Sequence, residues 1–321
     1  MTNKLLEIEN LKLNFNDYMG TVEVLDKISF SLNKNSWLGL VGESGCGKSV
    51  TAFTILRLLP ESAEIKNGDI LFKEANILAK TEKEMQKIRG KEISMIFQEP
   101  QSALDPSMRI GAHITETIRA HRKINRKEVK LQALDILEKV EISNPRYYLN
   151  RYPHELSGGM NQRVCIALAL VNDPSLLIAD EFTTSLDVTI QKRILELVLE
   201  IQKLNKMSVL FITHDLALAH ECCDYIVVMY AGQIVEKGRA DKVLSSPAHP
   251  YTKALLNSIP GISKDVKRLQ SIDGVVPNLI KPPAGCRFHT RCKHKIPNIC
   301  DKLFPKVRHL DDGHQAWCHL L

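Results

Sequence analysis

Residues 42–49 read Gly-Glu-Ser-Gly-Cys-Gly-Lys-Ser, and no other stretch limits the fold of this chain as strongly. The apolar run Trp37-Leu38-Gly39-Leu40-Val41 comes before it, and the helix-compatible run Val50-Thr51-Ala52-Phe53-Thr54-Ile55-Leu56 comes after it. Strand, glycine loop and helix in that order form a phosphate cradle. The glycines let successive backbone N–H groups turn inward without Cβ clashes, and the helix start adds further donors. The cradle is predicted to comprise Gly42, Glu43, Ser44, Gly45, Cys46 and Gly47, with Val50 in the first turn of the helix. Lys48 would reach the β- and γ-phosphates, and the Ser49 hydroxyl would hold Mg²⁺. Cys46, inside the loop, reads as a thiol whose alkylation would block nucleotide binding.

Leu176-Leu177-Ile178-Ala179-Asp180-Glu181 is an apolar strand that ends in two acids. Asp180 is expected to coordinate Mg²⁺ through water, and Glu181 to polarise the water that attacks the γ-phosphate. Leu156-Ser157-Gly158-Gly159-Met160 is a second anion-binding signature, with Ser157 as N-cap and two glycines exposing the first N–H groups of a helix. It lies about 110 residues from the first loop. One chain cannot easily bring both signatures to a single γ-phosphate, whereas two chains arranged head to tail can.

The chain has 321 residues, 44% of them apolar, enough for a substantial core. It contains no run of about 18 apolar residues that would span a bilayer, and acids near the N-terminus argue against a secretory segment. A cytosolic protein is expected, whose membrane role would come through partners. Leu5–Leu13, Val22–Leu25 and Ile28–Leu32 read as an antiparallel layer, and Gly68–Phe72 and Ile93–Phe97 as further strands. Helical spacing dominates residues 107–172, with one helix over Lys127–Val140 and another starting near Ser157. Strands then return at Ser175–Ala179 and Ser208–Thr213, separated by a helix over Ile190–Leu204. This alternation implies an α/β core with a parallel sheet and an inserted helical region.

The ordered set of GESGCGKS, Gln98, LSGGM at 156–160, LLIADE at 176–181, Ser185-Leu186-Asp187 and His214 resembles the ATP-binding subunit of ABC transporters over most of residues 4–239. The resemblance implies a P-loop NTPase (RecA-like) α/β core with an N-terminal antiparallel β layer and an inserted α-helical subdomain. The ATPase domain would cover residues 1–240, with the helical subdomain at about 100–172. It also implies roles. Gln98 would contact Mg²⁺ and sense the transmembrane partner. Ser157, Gly158, Gly159 and Met160 would cover the ATP of a partner protomer. Asp187 would couple the two sites, and His214 would hold the γ-phosphate and the attacking water. Phe15 would stack on adenine, with Tyr18 as second choice. Two departures stand out. Phe182 replaces the usual Pro, and Asn161 follows Met160 where a basic residue is more usual. Neither removes a phosphate ligand or the candidate base, so a competent site is expected.

Pro247 through Leu256, with its His249-Pro250-Tyr251-Thr252 core, resembles an element of the oligopeptide, dipeptide and nickel importer ATPases. Pro283 through Cys292, Ile96 through Pro100 and Thr183 through Thr189 resemble the same branch, specifically the first ATPase of its pair. The implied partners are a second ABC ATPase (a heterodimer), two transmembrane permease subunits and an extracytoplasmic substrate-binding protein. The implied place is the cytoplasmic face of the membrane. Residues 241–321 would form a small Cys-rich extension, where Cys286, Cys292, Cys300 and Cys318 are spaced C-x5-C-x7-C-x17-C. Clustered Cys in a reducing compartment bind metal more often than they pair. The spacing lacks the C-x2-C knuckles of structural zinc and suits a 4Fe–4S cluster, with zinc or no metal as alternatives. A nickel or metal-chelate importer is the alternative cargo class. Soluble ABC ATPases of ribosomes or DNA usually carry tandem cassettes or long coiled coils, absent here. The net charge of +6 and the basic tail, eight Lys/Arg against three Asp/Glu in residues 281–321, lack the basic–aromatic stripe of a nucleic-acid binder.

Overall fold

The computed structural model describes residues 3–18, 20–99, 103–184, 187–258, 272–311 and 313–321. The chain divides into two compact units, Met1–Ala79 with Phe211–Leu321, and Lys80–Leu210.

The first unit opens with antiparallel β1 (Lys4–Asp17) and β2 (Gly20–Asn33). Leu6, Ile8, Leu11 and Leu13 of β1 and Leu25, Ile28, Phe30 and Leu32 of β2 are buried. β2 joins two stretches that the sequence pattern separates, Val22–Leu25 and Ile28–Leu32. Lys27 sits between them at φ 53°, and the pairing slips from Leu11↔Ile28 to Leu13↔Leu25. A bulge of this kind inserts one residue and keeps the apolar face inward. β3 (Trp37–Val41) is buried at every position and leads through the glycine loop into α1 (Lys48–Leu56). β4 (Ala63–Phe72) pairs antiparallel with β1 and with β5 (Ala75–Asn76).

The second unit begins with α2 (Glu82–Ile88), where Thr81 and Glu84 form a capping box, followed by β6 (Ile93–Ile96). Four helices fill the predicted helical stretch. They are α3 (Ile110–Arg119), α4 (Arg126–Lys139), α5 (Pro145–Tyr148) and α6 (Gly158–Leu170). α4 starts at another capping box, Asn125 with Glu128, and turns Val129, Ala133, Ile136 and Leu137 inward at helical spacing. β7 (Leu176–Asp180) is buried throughout and runs parallel to β6, from Ile93↔Leu176 to Ile96↔Ala179. Burial on both faces is the mark of a parallel sheet. α7 (Val188–Asn205) follows, capped by the Asp187 carboxylate, which accepts from the Ile190 N–H.

β8 (Ser208–Thr213) carries the chain back to the first unit, where α8 (Leu216–Cys222), β9 (Tyr225–Tyr230), β10 (Gln233–Arg239), α9 (Ala240–Ser245) and α10 (Pro250–Asn257) follow. β9 lies parallel to β3, Leu38↔Tyr225 through Val41↔Val228, and antiparallel to β10. The short C-terminal strands β11 (Val307–His309) and β12 (Gln315–Trp317) add to this sheet, because β12 pairs with β10 at Glu236↔Ala316 and Lys237↔Gln315. No described helix is long and apolar enough to cross a membrane.

Candidate functional site

In the first unit the parallel pairing of β3 with β9 delivers the chain to Gly42. A Cβ there would meet the Met229 carbonyl oxygen at 2.2 Å, so only glycine passes under the end of β9. Gly47 caps α1 at φ 101°, a conformation open to glycine and strained for other residues. Lys48 is 4% exposed, and its ammonium donates to the carbonyls of Gly42 (2.8 Å) and Glu43 (3.2 Å). The Cys46 carbonyl accepts from the Gly232 N–H in the β9–β10 turn. Ser44 and Gly45 are exposed, and Ser49 and Val50 half-buried. Contrary to the expectation from its place in the loop, the Cys46 thiol is closed to alkylation. The side chain is 1% exposed beside Gly42, and burial pushes its pKa up, so the thiolate needed for alkylation is disfavoured.

Other predicted groups of this unit are spread along it. Phe15 is half-buried on β1, opposite Val22 and Ala63, and Tyr18 in the following turn is 94% exposed. His214 is exposed at the end of β8, where Asp215 caps α8 by accepting from the Ala217 and Leu218 N–H groups.

In the second unit β7 ends at Asp180, which is 3% exposed. Glu181 follows at φ 42°, in the left-handed region that a non-glycine residue seldom occupies. This turn sends the Phe182 side chain into the core at 0% exposure, which accounts for an aromatic residue there. The Gln98 side-chain N–H donates to the Glu181 carboxylate at 3.3 Å. The structure thus joins two residues 83 positions apart, both singled out from the sequence. Ser157 caps α6 by accepting from the Met160 N–H (3.3 Å), while Gly158 is exposed and Gly159 and Met160 half-buried. Asn161, the other departure, is buried and donates to the Pro153 carbonyl, so it anchors the turn before the signature. Pro100 and the Ser185-Leu186 pair lie outside the described residues.

The C-terminal thiols are free. The Cys286 N–H donates to the Cys300 carbonyl, and the Ile296 N–H to the Cys300 sulfur. Burial pushes Cys286 up to about 12, and also raises Cys292 and Cys318. Smaller upward pushes on Cys286 come from Cys318, Cys300 and Cys292. Among the described residues no three His, Cys, Asp or Glu are close enough to hold a single metal ion.

Tyr251 and Arg291 lie in stretches the family resemblance marks, yet nothing in the sequence places either at the loop. The Tyr251 hydroxyl accepts from the Glu43 N–H at 2.9 Å, and the Arg291 guanidinium pairs with the Glu43 carboxylate at 2.6 Å. Each contact spans more than 200 residues, so no local pattern announces it.

With the geometry in hand, relatedness decides the rest. Residues 25–184 match the ABC transporter family, and residues 235–300 match the oligopeptide/dipeptide transporter C-terminal region. The chain is 44% identical to the dipeptide transport ATP-binding protein DppD of Bacillus subtilis (strain 168), over 99% of this chain and 95% of that protein. This chain belongs to the ABC transporter family. It is also 47% identical to the oligopeptide transport ATP-binding protein OppD of the same organism, over 99% of this chain and 89% of that one. Among solved structures, cbiO1 from Clostridium perfringens, part of the ABC transporter complex cbiONQ, is similar at a TM-score of 0.66 and 26% identity, over 76% of this chain and 92% of that one. The dimeric bacterial ABC transporter cassette MJ0796 shares the fold at a TM-score of 0.66, over 73% of this chain and 98% of that one. The expected P-loop cassette fold is thereby borne out. As a family member the chain is an ATP hydrolase, the ATPase subunit of a transporter.

Proposed function

We propose that this subunit powers the import of di- and oligopeptides. The observation that carries the cargo class is similarity, over nearly the whole length, to proteins named for dipeptide and oligopeptide transport, including the C-terminal region at 235–300. A nickel or metal-chelate cargo is the second reading, from the resemblance of the His249–Thr252 element to importers of both kinds. The partners are a second ABC ATPase, two permease subunits and an extracytoplasmic substrate-binding protein. The chain sits peripherally on the cytoplasmic face of the membrane. Residues 1–240 serve as the ATPase domain, with a helical subdomain at about 100–172, and 241–321 as a regulatory, metal-binding extension.

Catalysis rests on positioning and charge. Lys48 and the loop amides other than that of Glu43, which donates to Tyr251, hold phosphate oxygens, and Phe15 stacks on the base. The Ser49 hydroxyl, the Gln98 amide oxygen and the Asp180 carboxylate are hard oxygen donors that suit Mg²⁺. When bound there, Mg²⁺ would supply charge neutralisation for phosphoryl transfer. Glu181 orients the attacking water and takes its proton, Gln98 holds the Glu181 carboxylate, and His214 steadies the γ-phosphate. Ser157, Gly158, Gly159 and Met160 close over the ATP of the partner ATPase. The Glu181→Gln variant should retain ATP binding and lose about 10²–10³ in turnover. Wild-type hydrolysis no faster than that variant's would sink the assignment. Uptake of radiolabelled dipeptide by the assembled transporter, absent with Glu181→Gln, tests the cargo, and nickel uptake instead would favour the second reading.

Cys286, Cys292, Cys300 and Cys318 fit a 4Fe–4S cluster better than zinc. One ion with Zn–S bonds of about 2.3 Å would need four sulfurs nearly in contact, and the spacing lacks the C-x2-C knuckles that supply such a set. A 4Fe–4S cluster would take one thiolate from each of the four Cys. The cluster would pin a loop-rich tail that has little core of its own. Anaerobically purified protein should contain about four iron and four sulfide per chain, and colourless, iron-free protein would refute the cluster.

A further inference from the structure

Arg291 makes a connection that neither the hydrolysis chemistry nor the Cys cluster uses. Its side chain is 5% exposed, and all five of its N–H donors have acceptors. Nε donates to the Asp273 carbonyl at 2.9 Å. Nη1 donates to Glu43 Oε2 at 2.6 Å and to the Tyr230 hydroxyl at 3.4 Å. Nη2 donates to Glu43 Oε1 at 3.2 Å and to the Ile272 carbonyl at 3.1 Å. The fork on Glu43 is therefore bidentate, and two backbone carbonyls fix its orientation.

Glu43 is equally committed. Its N–H goes to the Tyr251 hydroxyl, its carboxylate to Arg291, and its carbonyl accepts from the Lys48 ammonium. A path of direct contacts runs from Arg291 through Glu43 to the lysine of the phosphate loop. Tyr230, Tyr251 and Phe288 pack with ring centroids 4.7 to 5.3 Å apart and hold the spacing between the two segments. Arg287, on the same short 3-10 turn as Phe288, grips the β9–β10 turn through the Ala231 carbonyl at 2.5 Å, next to the Gly232 N–H that holds the loop at Cys46.

Charge gives this brace a function. A carboxylate in the second position of a phosphate cradle repels the triphosphate. A fixed guanidinium cancels that charge and holds the carboxylate in one orientation. We propose that Arg291 is a positioning residue for ATP. It neutralises and aims Glu43, so that the C-terminal region sets the nucleotide affinity of the phosphate loop. This rests on residues 42–49 being the ATP site.

The test is equilibrium binding of a fluorescent ATP analogue to the full-length chain, with thermal melting alongside. Arg291→Ala should weaken binding about tenfold, through like-charge repulsion and an unpaired, partly buried carboxylate. Combining it with Glu43→Gln should restore most of that affinity, because the uncancelled charge is gone. A purely structural Arg291 predicts no rescue, and a double variant as weak as Arg291→Ala would overturn the proposal. Arg291→Lys keeps the charge and loses the fork. It should weaken binding about threefold, and it carries the test if the alanine variant does not fold. Lys48→Ala separates the two layers of inference. If it binds like wild type, the assignment of the loop fails. If it abolishes binding while both Arg291 variants bind like wild type, the brace fails and the loop stands.

Discussion

The two glycine turns of this chain look alike in sequence and differ in what requires their glycines. In the first, at 42–47, the chain itself demands them: a Cβ at Gly42 would meet backbone at 2.2 Å, and Gly47 sits at φ 101°. In the second, a Cβ at Gly158 would find no atom of the described residues within 4 Å, and one at Gly159 would make an ordinary contact with Ile190 at 3.5 Å. The first turn is shaped by its own packing and braced by Tyr251 and Arg291. The second is an open helix start whose glycines answer to nothing in the chain's own packing. This contrast supports the proposal that the first loop builds its own cradle and the second covers another chain's ATP.

The largest effect expected is at Gly42. Alanine there presses on a backbone carbonyl, which cannot rotate away as a side chain would. A loss of about 3 kcal/mol, seen as a lower melting temperature, should accompany loss of ATP-analogue binding. Unchanged melting would mean that β9 can yield, and that packing does not set the first loop.

Acid offers a second, smaller perturbation of the same loop. His249 caps α10, the helix that carries Tyr251, by accepting from the Tyr251 N–H through Nδ1. Its ring proton is thus on Nε2, which has no partner among the described residues. The Glu236 carboxylate, which takes the His249 and Ala248 N–H groups and His314, fixes the backbone of the cap. Burial, with a smaller push from Lys253, lowers the His249 pKa from its ordinary 6.5 to about 3. The unfolded chain therefore takes up a proton near pH 6.5 that the folded chain refuses until about pH 3. Stability is whole above pH 6.5 and falls as pH drops through this window, by about 2 kcal/mol at pH 5. His249→Asn keeps a capping acceptor and cannot titrate, so its unfolding free energy should lose about 2 kcal/mol less than wild type between pH 7 and pH 5. Parallel pH profiles for the two proteins would clear His249 of any part in acid sensitivity.

Much of this was legible in the sequence, and the exceptions share one cause. The glycine loop, the capped start at Ser157 and the apolar strands before the loop and before Asp180 are local, set by spacing within a few residues. The contact of Gln98 with Glu181 spans 83 positions; the sequence marks both residues but not their pairing. The contacts of Tyr251 and Arg291 with Glu43 could not be anticipated either, because each closes a separation of more than 200 residues. Cys46 failed differently. Its place in the loop says that it is near nucleotide, and only packing says that its sulfur is buried. Phe182 and Asn161 looked like departures because a family pattern records positions, whereas the reason for each lies in what its side chain touches.

The smallest change in stability should come from Gly158→Ala, and it is the sharpest test of the contrast. Gly158 is the first residue of α6, exposed, with space around its Cα. Alanine there removes a poor helix former and adds a methyl to open space, so stability should stay within about 0.5 kcal/mol of wild type. Binding of the ATP analogue to the isolated chain should not change either, since that affinity belongs to the first loop. On the proposed head-to-tail arrangement, hydrolysis by the assembled pair of ATPases should nonetheless fall at least about tenfold, because the added methyl would stand where another chain's phosphate approaches backbone N–H groups. Loss of stability in this variant would mean that the chain's own packing requires the second glycine turn after all, and the distinction between the two loops would collapse. Full hydrolysis with full stability would mean that no phosphate approaches α6, and the head-to-tail arrangement would have to be abandoned.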